Sequence, residues 1–131
     1  LVLMLPSGHA MLVKVEPPEP PRPVPVDPSL SAESYNSRGR QLTQIGDFSS
    51  AITEFNRAIE IKPDFPLAYN GRGYAYMRLR KYQEAVQDFT AAIRLNLNYA
   101  NAYQNRAAAF RALGNQEAAA EDLEKVKALQ P

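Results

Sequence analysis

Residues 66–99 read PLAYNGRGYAYMRLRKYQEAVQDFTAAIRLNLNY, and a shift of 34 positions in either direction lays this stretch over its neighbours without a gap. Tyr69 falls on Tyr35 and Tyr103, Arg72 on Arg38 and Arg106, and Ala85 on Ala51 and Ala119. Phe89 falls on Phe55 and Leu123, and Gly73 on Gly39 and Ala107. Ala92 falls on Ala58 and Val126, Leu95 on Ile61 and Leu129, and Leu97 on Pro63 and Pro131. The chain therefore contains three units, 32–65, 66–99 and 100–131.

Apolar residues recur within each unit at steps of three and four, as in Ile52, Phe55 and Ile59, which is a helical spacing. Each unit splits into two helical patches at a turn: Gly46-Asp47, Arg80-Lys81 and Gly114-Asn115. Glycine supplies the left-handed residue that ends a first helix, and Asp47 or Asn115 can cap the second. Arg80 departs from that rule. Ser31, Asp64 and Asn98 stand where caps for the first helices are expected. The result is six helices of about 13 residues, each about 20 Å long. Helices so short depend on stacking, and small residues such as Gly39, Gly73, Ala51 and Ala85 let backbones approach while Tyr35, Tyr69, Phe55 and Phe89 fill wider gaps.

The pattern resembles the tetratricopeptide repeat family: aromatic, small residue, aromatic, alanine, aromatic, alanine and a closing proline at this period. The resemblance covers residues 32–131. It implies an all-α, right-handed superhelical solenoid of three helix-turn-helix units. It also implies a non-catalytic adaptor or scaffold that binds a partner's peptide segment in a concave groove lined by the first helix of each unit.

Carried onto this chain, the resemblance places Glu33, Asn36, Ser37, Arg40, Thr43 and Gln44 on the groove in unit one. Unit two contributes Leu67, Asn70, Gly71, Tyr74, Met77 and Arg78, and unit three Asn101, Gln104, Asn105, Ala108, Arg111 and Ala112. Asn36, Asn70, Gln104 and Asn105 can donate and accept at once, which suits an extended peptide backbone. Arg40, Arg78 and Arg111 favour an acidic segment, and Tyr74 with Met77 offers an apolar anchor. The alternative is an ordinary solvated helix face. Family members that grip acidic chaperone C-termini use a carboxylate clamp of Lys and Asn, then Asn, then Lys and Arg. The matching places here hold Asn36, Arg40, Gly71, Asn101 and Asn105, so that clamp is missing.

Arg38, Arg72 and Arg106 could form an anion-binding stripe, yet an acid follows each arginine by 16 residues: Glu54, Asp88 and Asp122. A cation and an anion repeating in phase read more simply as structural ion pairs.

Eight of the eleven prolines lie in residues 1–30, which form a tail or linker ahead of a repeat domain at 31–131. Proline fixes φ and lacks a donor, so an extended rod is expected. Pro17-Pro18-Glu19-Pro20-Pro21-Arg22 fits a loose proline-rich recognition pattern; a semi-rigid spacer is the plainer reading, and a third has Met11-Leu12-Val13 laid in a groove. A start at Leu1 reads as a fragment or processed form whose first residues could be vector-derived, with Met11 available as a native start. The apolar run Leu1–Leu5 is far short of a membrane span, and as a signal-peptide stump it lacks a basic flank.

Composition removes whole function classes. With 15 basic and 14 acidic residues the net charge is +1, too small for non-specific nucleic-acid binding. There is no cysteine and one histidine, His9, so thiol catalysis, sulfur-ligated metal and multi-histidine sites are not expected, nor is any cofactor. The absence of cysteine suits the cytoplasm and export alike, with the cytoplasm marginally favoured. The expected partner is a protein or peptide. The runner-up is a self-assembling module, in which the tail or an uncapped end of the array, including Ala118, Ala120 and Val126, meets a sister chain.

Overall fold

The computed structural model describes residues 2–20 and 27–130. Six helices follow one another as three antiparallel pairs: α1 (Ala32–Gln44) with α2 (Phe48–Ile61), α3 (Pro66–Arg78) with α4 (Tyr82–Leu95), and α5 (Ala100–Ala112) with α6 (Gln116–Leu129). Each pair stacks on the next through α2 against α3 and α4 against α5. The fold is an all-α solenoid.

The turns inside the units share one geometry. Gly46 and Gly114 have φ of 86° and 81°, and the residue after each returns its N–H five residues back, Asp47 to Leu42 O and Asn115 to Phe110 O, both at 2.9 Å. Arg80 takes the same left-handed conformation at φ 61°, with Lys81 N–H on Tyr76 O at 2.9 Å. A side chain with a Cβ thus sits where the other units use glycine. Asp47 and Asn115 accept from the N–H groups of Ser50 and Ala118 and so cap α2 and α6, whereas Lys81 makes no side-chain cap to α4.

Between units the caps differ from the sequence expectation. Ser31 does cap α1 through Ser34 N–H, but α3 and α5 start one residue later than Asp64 and Asn98 would require. Their N-caps are Phe65 and Tyr99, with no side-chain cap bond. Pro66 at the first position of α3 removes one of the donors that needs capping, and Phe65 gains burial instead. The N–H of Asn98 is itself bonded to Asn96 Oδ1.

The core runs along the stack as alanine-lined contacts around two fully buried rings, Phe55 and Phe89. Phe55 is gripped from both sides: a Cβ built on Gly39 of α1 would lie 2.7 Å from its ring, and one on Gly71 of α3 2.6 Å. Gly73 stands in the same relation to Phe89 at 2.7 Å. These approaches are what the aromatic side chains require, and they bring three helices to one ring.

The N-terminal segment departs from a uniform rod. Val2–Met4 (β1) and Ala10–Leu12 (β2) form a small antiparallel hairpin with Leu3 opposite Met11, turning at Gly8 with φ 82°. Met11 and Leu12 are exposed strand residues here, so they do not lie in a groove of the repeats. Residues 13–20 have no regular structure, and Pro21 to Val26, including Arg22 of the proline-rich pattern, lie outside the described residues, as do Leu1 and Pro131.

Candidate functional site

α1 touches α3 and α3 touches α5, whereas α2, α4 and α6 do not touch one another. The first helices therefore lie on the inner side of the curve, and their shared face is the concave one.

That face holds a cleft of about 290 Å³. Arg40, Thr43 and Gln44 come from α1, Asn70, Gly71 and Tyr74 from α3, and Asn101 and Asn105 from α5, with Phe55 at the floor. The Phe55 ring beneath is itself fully buried, covered by the close approach of Gly39 and Gly71. The hydroxyl of Thr43 turns back to Gly39 O at 2.9 Å, which satisfies it within the helix.

One wall is an amide network between α3 and α5. Asn70 Nδ2 donates to Asn101 Oδ1 at 3.1 Å and to the Tyr99 hydroxyl at 3.2 Å. Asn105 Nδ2 donates to Asn70 Oδ1 at 3.1 Å and to Asn101 Oδ1 at 3.0 Å. Among the described residues these bonds leave the Asn101 amide nitrogen and the Asn105 carbonyl oxygen without a protein partner, a donor and an acceptor of the kinds a peptide group needs. Burial raises the Tyr99 phenol above its usual range, opposed by the Asn70 bond and the Arg40 charge. Arg40 stands exposed at the rim, and no carboxylate pairs with it among the described residues.

Other residues expected on the groove lie elsewhere. Asn36 is buried, with 5% of its surface exposed and Oδ1 without a partner. The repeat explains this: Asn70 finds Tyr99, Asn101 and Asn105, and one unit earlier those positions are Phe65, Leu67 and Gly71, which offer no side-chain donor. Met77 is half-buried against Ala85, Phe89 and Ala109, so it fills the core rather than the cleft. Arg78 lies over the Phe48 ring at 4.9 Å and donates to the Tyr74 hydroxyl at 3.2 Å, which occupies its guanidinium locally. Gln104 and Arg111 are exposed on α5 but do not line the cleft. Conversely, Tyr99 and Phe55 belong to the site unforeseen. The exchange of Phe65 for Tyr99 between successive repeats was the available signal for the first.

The three phased arginines are not equivalent. Arg72 meets Asp88 through Nε at 2.9 Å and Nη2 at 2.8 Å and reaches back to Asn56 of the preceding unit through Nη1 at 2.9 Å. Arg106 repeats this with Asp122 at 2.8 and 2.7 Å and with Thr90 at 3.2 Å. Arg38 is 53% exposed and approaches Glu54 only to 3.9 Å. The hydrogen bonds to Asp88 and Asp122 hold the Arg72 and Arg106 guanidinium groups above their ordinary values. On Asp88 burial is the larger effect and pushes the carboxyl up, with Arg72 opposing it, so the pair is costly to bury and costlier to break.

The outward faces of the array are polar. On α6, Gln116, Ala120 and Lys127 occupy the positions of Phe48, Ile52 and Ile59, which pack against the following unit in unit one. On α1, Ser34 and Gln41 replace the fully buried Ala68 and Ala75. The α6 face is thus less apolar than its counterpart in unit one, with Ala118 half-buried, Ala120 exposed and Val126 packed against the cluster of Ile93 and Tyr103. Among the described residues no helix is long and apolar enough to cross a membrane, and no group of three or more potential ligands is placed to hold a metal.

Sequence profiles of the tetratricopeptide repeat match residues 39–79, 66–99 and 100–131. No curated protein matches the chain. Among solved structures, the second such domain of Spaghetti (RPAP3), bound to the HSP90 peptide SRMEEVD, is 33% identical with a TM-score of 0.75, covering 76% of this chain and 93% of that one. The second domain of human RPAP3 with the HSP70 peptide SGPTIEEVD is 34% identical at TM-score 0.74, covering 76% and 83%. The Arabidopsis OM64 domain is 25% identical at TM-score 0.76, covering 77% and 84%. With a repeat legible three times over, helices that stack accordingly and matches across residues 39–131, the chain belongs to the tetratricopeptide repeat family, as a non-catalytic protein-interaction module.

Proposed function

We propose that the protein is an adaptor that binds an extended, acidic peptide segment of a partner across the cleft between α1, α3 and α5. The observation that carries this is Arg40: an exposed cation with no carboxylate partner among the described residues, at the rim of a cleft whose wall includes an amide donor and an amide acceptor that the described residues leave unpaired. A peptide lying there meets its backbone requirements at Asn101 and Asn105 and its charge at Arg40. Related domains carry chaperone C-terminal peptides in the corresponding fold. This chain has no lysine at the clamp positions and a glycine, Gly71, in place of the second-repeat asparagine, which argues for a different sequence class.

Amide shifts of the isotope-labelled full chain titrated with acidic, neutral and basic random peptide pools test this, with SRMEEVD as reference. The acidic pool should move Arg40, Asn70, Gly71 and Asn105 and lose its effect in Arg40→Glu, while SRMEEVD binds no better than the pool. Equal shifts from all pools, or shifts confined to α2, α4 and α6, would refute the reading.

A further inference from the structure

We infer that Tyr99 is a specificity-determining residue of the groove: with Arg40 and Asn101 it makes a second cavity beside the cleft into a site of hydrogen-bond donors that takes one carboxylate of the bound peptide. This rests on the adaptor reading above and says which groups read the acid.

The second cavity has a volume of about 340 Å³. Leu67, Asn70 and Gly71 of α3 line it, with Tyr99 and Asn101 from the start of α5 and Arg40 from α1. Its side-chain oxygens are already occupied. Asn70 Oδ1 receives from Asn105, Asn101 Oδ1 receives from both Asn70 and Asn105, and the Tyr99 oxygen receives from Asn70. The same bonds use both N–H groups of Asn70. What the described residues leave without a partner are donors: the Tyr99 O–H, the Asn101 amide N–H groups and the Arg40 guanidinium. Asn105, whose carbonyl oxygen is an open acceptor, lines the first cleft and not this cavity. Arg40 lines both.

The two spaces therefore suit different parts of a peptide. A backbone amide brings a donor and an acceptor and is served in the first cleft, whereas a carboxylate brings acceptors only and is served in the second. One cation lines that cavity, which matches a single negative charge. Burial holds the Tyr99 phenol above its usual range, so it keeps its proton at neutral pH and stays a donor, and Arg40 stands near enough for its charge to act on that phenol. One unit earlier the positions of Tyr99 and Asn101 hold Phe65 and Leu67, so the fold requires neither the hydroxyl nor the amide.

Two substitutions separate this reading from a structural role of the network. Tyr99→Phe removes one donor and keeps the ring. Asn101→Asp keeps an oxygen for Asn70 and Asn105 and turns the outward amide nitrogen into a second, charged acceptor. The full chain selects peptides from a random library with acetylated and amidated ends and from one with free C-termini. The tightest acidic peptide is then titrated beside its own neutral form, Glu or Asp changed to Gln or Asn, or the chain end amidated, against unaltered protein, Tyr99→Phe and Asn101→Asp after matched melting curves. Tyr99→Phe should weaken the acidic form by about tenfold and leave the neutral form unchanged. Asn101→Asp should abolish the preference for the acid. The library that yields the peptide tells whether the carboxylate is a side chain or a chain end. An acid preference that survives both substitutions, or equal weakening of both forms, overturns the donor site while leaving the groove reading standing. Retention of no acidic peptide from either library overturns both.

Discussion

Arg72 and Arg38 occupy the same repeat position and should respond very differently to the same substitution. Arg72→Met leaves the buried Asp88 carboxylate unpaired and should cost about 3–5 kcal/mol in urea unfolding. Arg38→Met removes an exposed group 3.9 Å from its acid and should cost at most about 1 kcal/mol. Equal losses would show that burial of the Asp88 carboxylate does not set the Arg72 pair apart from the Arg38 one. Gly71→Ala should destabilise by about 1–3 kcal/mol through overpacking against Phe55, whereas Gln44→Ala, on the same face, should stay within about 0.5 kcal/mol. At this level the sequence is only half informative. The phase of arginine and acid is visible in it. That Arg38 meets its acid only at 3.9 Å, and that Asn36 is buried without a partner for its Oδ1, emerges only when the repeat is stacked.

Helices and their turns were the most legible part of the chain, because a 34-residue period and glycine punctuation are local signals. The failures were local too. Asp64 and Asn98 looked like caps by composition, but the helices begin after Phe65 and Tyr99, where burial of a ring replaces a cap bond. The N-terminal hairpin was signposted by Pro6-Ser7-Gly8 between two apolar runs, a turn signal overshadowed by the prolines that follow. The middle turn is the one that can be improved. Arg80 holds a left-handed conformation without being glycine, and Lys81 provides no cap. Arg80→Gly with Lys81→Asp should copy the other two turns and stabilise by about 1–2 kcal/mol, the relief of strain and the new cap outweighing the entropy of glycine. Thermal unfolding would show it, and a fall in melting temperature would mean that Arg80 has a compensating contact.

The stacked array also bears on association. Ser34 and Gln41 at one end, and Gln116, Glu124 and Lys127 at the other, stand where internal junctions use alanine, aromatic and aliphatic residues or a neutral acceptor. End-to-end stacking of copies would bury these groups without their usual partners. The full chain should therefore sediment as a monomer as its concentration rises, and a concentration-dependent dimer would contradict this reading of the ends. The interaction surface left is the concave one, whose location followed from the repeat while the amide network along its wall did not, since that depends on side chains 29 to 35 residues apart. Photo-crosslinking addresses it most directly, with a benzophenone side chain placed at Gln44 in the cleft or at Gln87, exposed on α4, in full-length protein mixed with extract of the source cells. Partner adducts should form from position 44, disappear when Arg40→Glu is added, and be absent from position 87. Adducts of equal yield from position 87, or adducts at position 44 that survive Arg40→Glu, would show that partners are not held in this cleft by its charge.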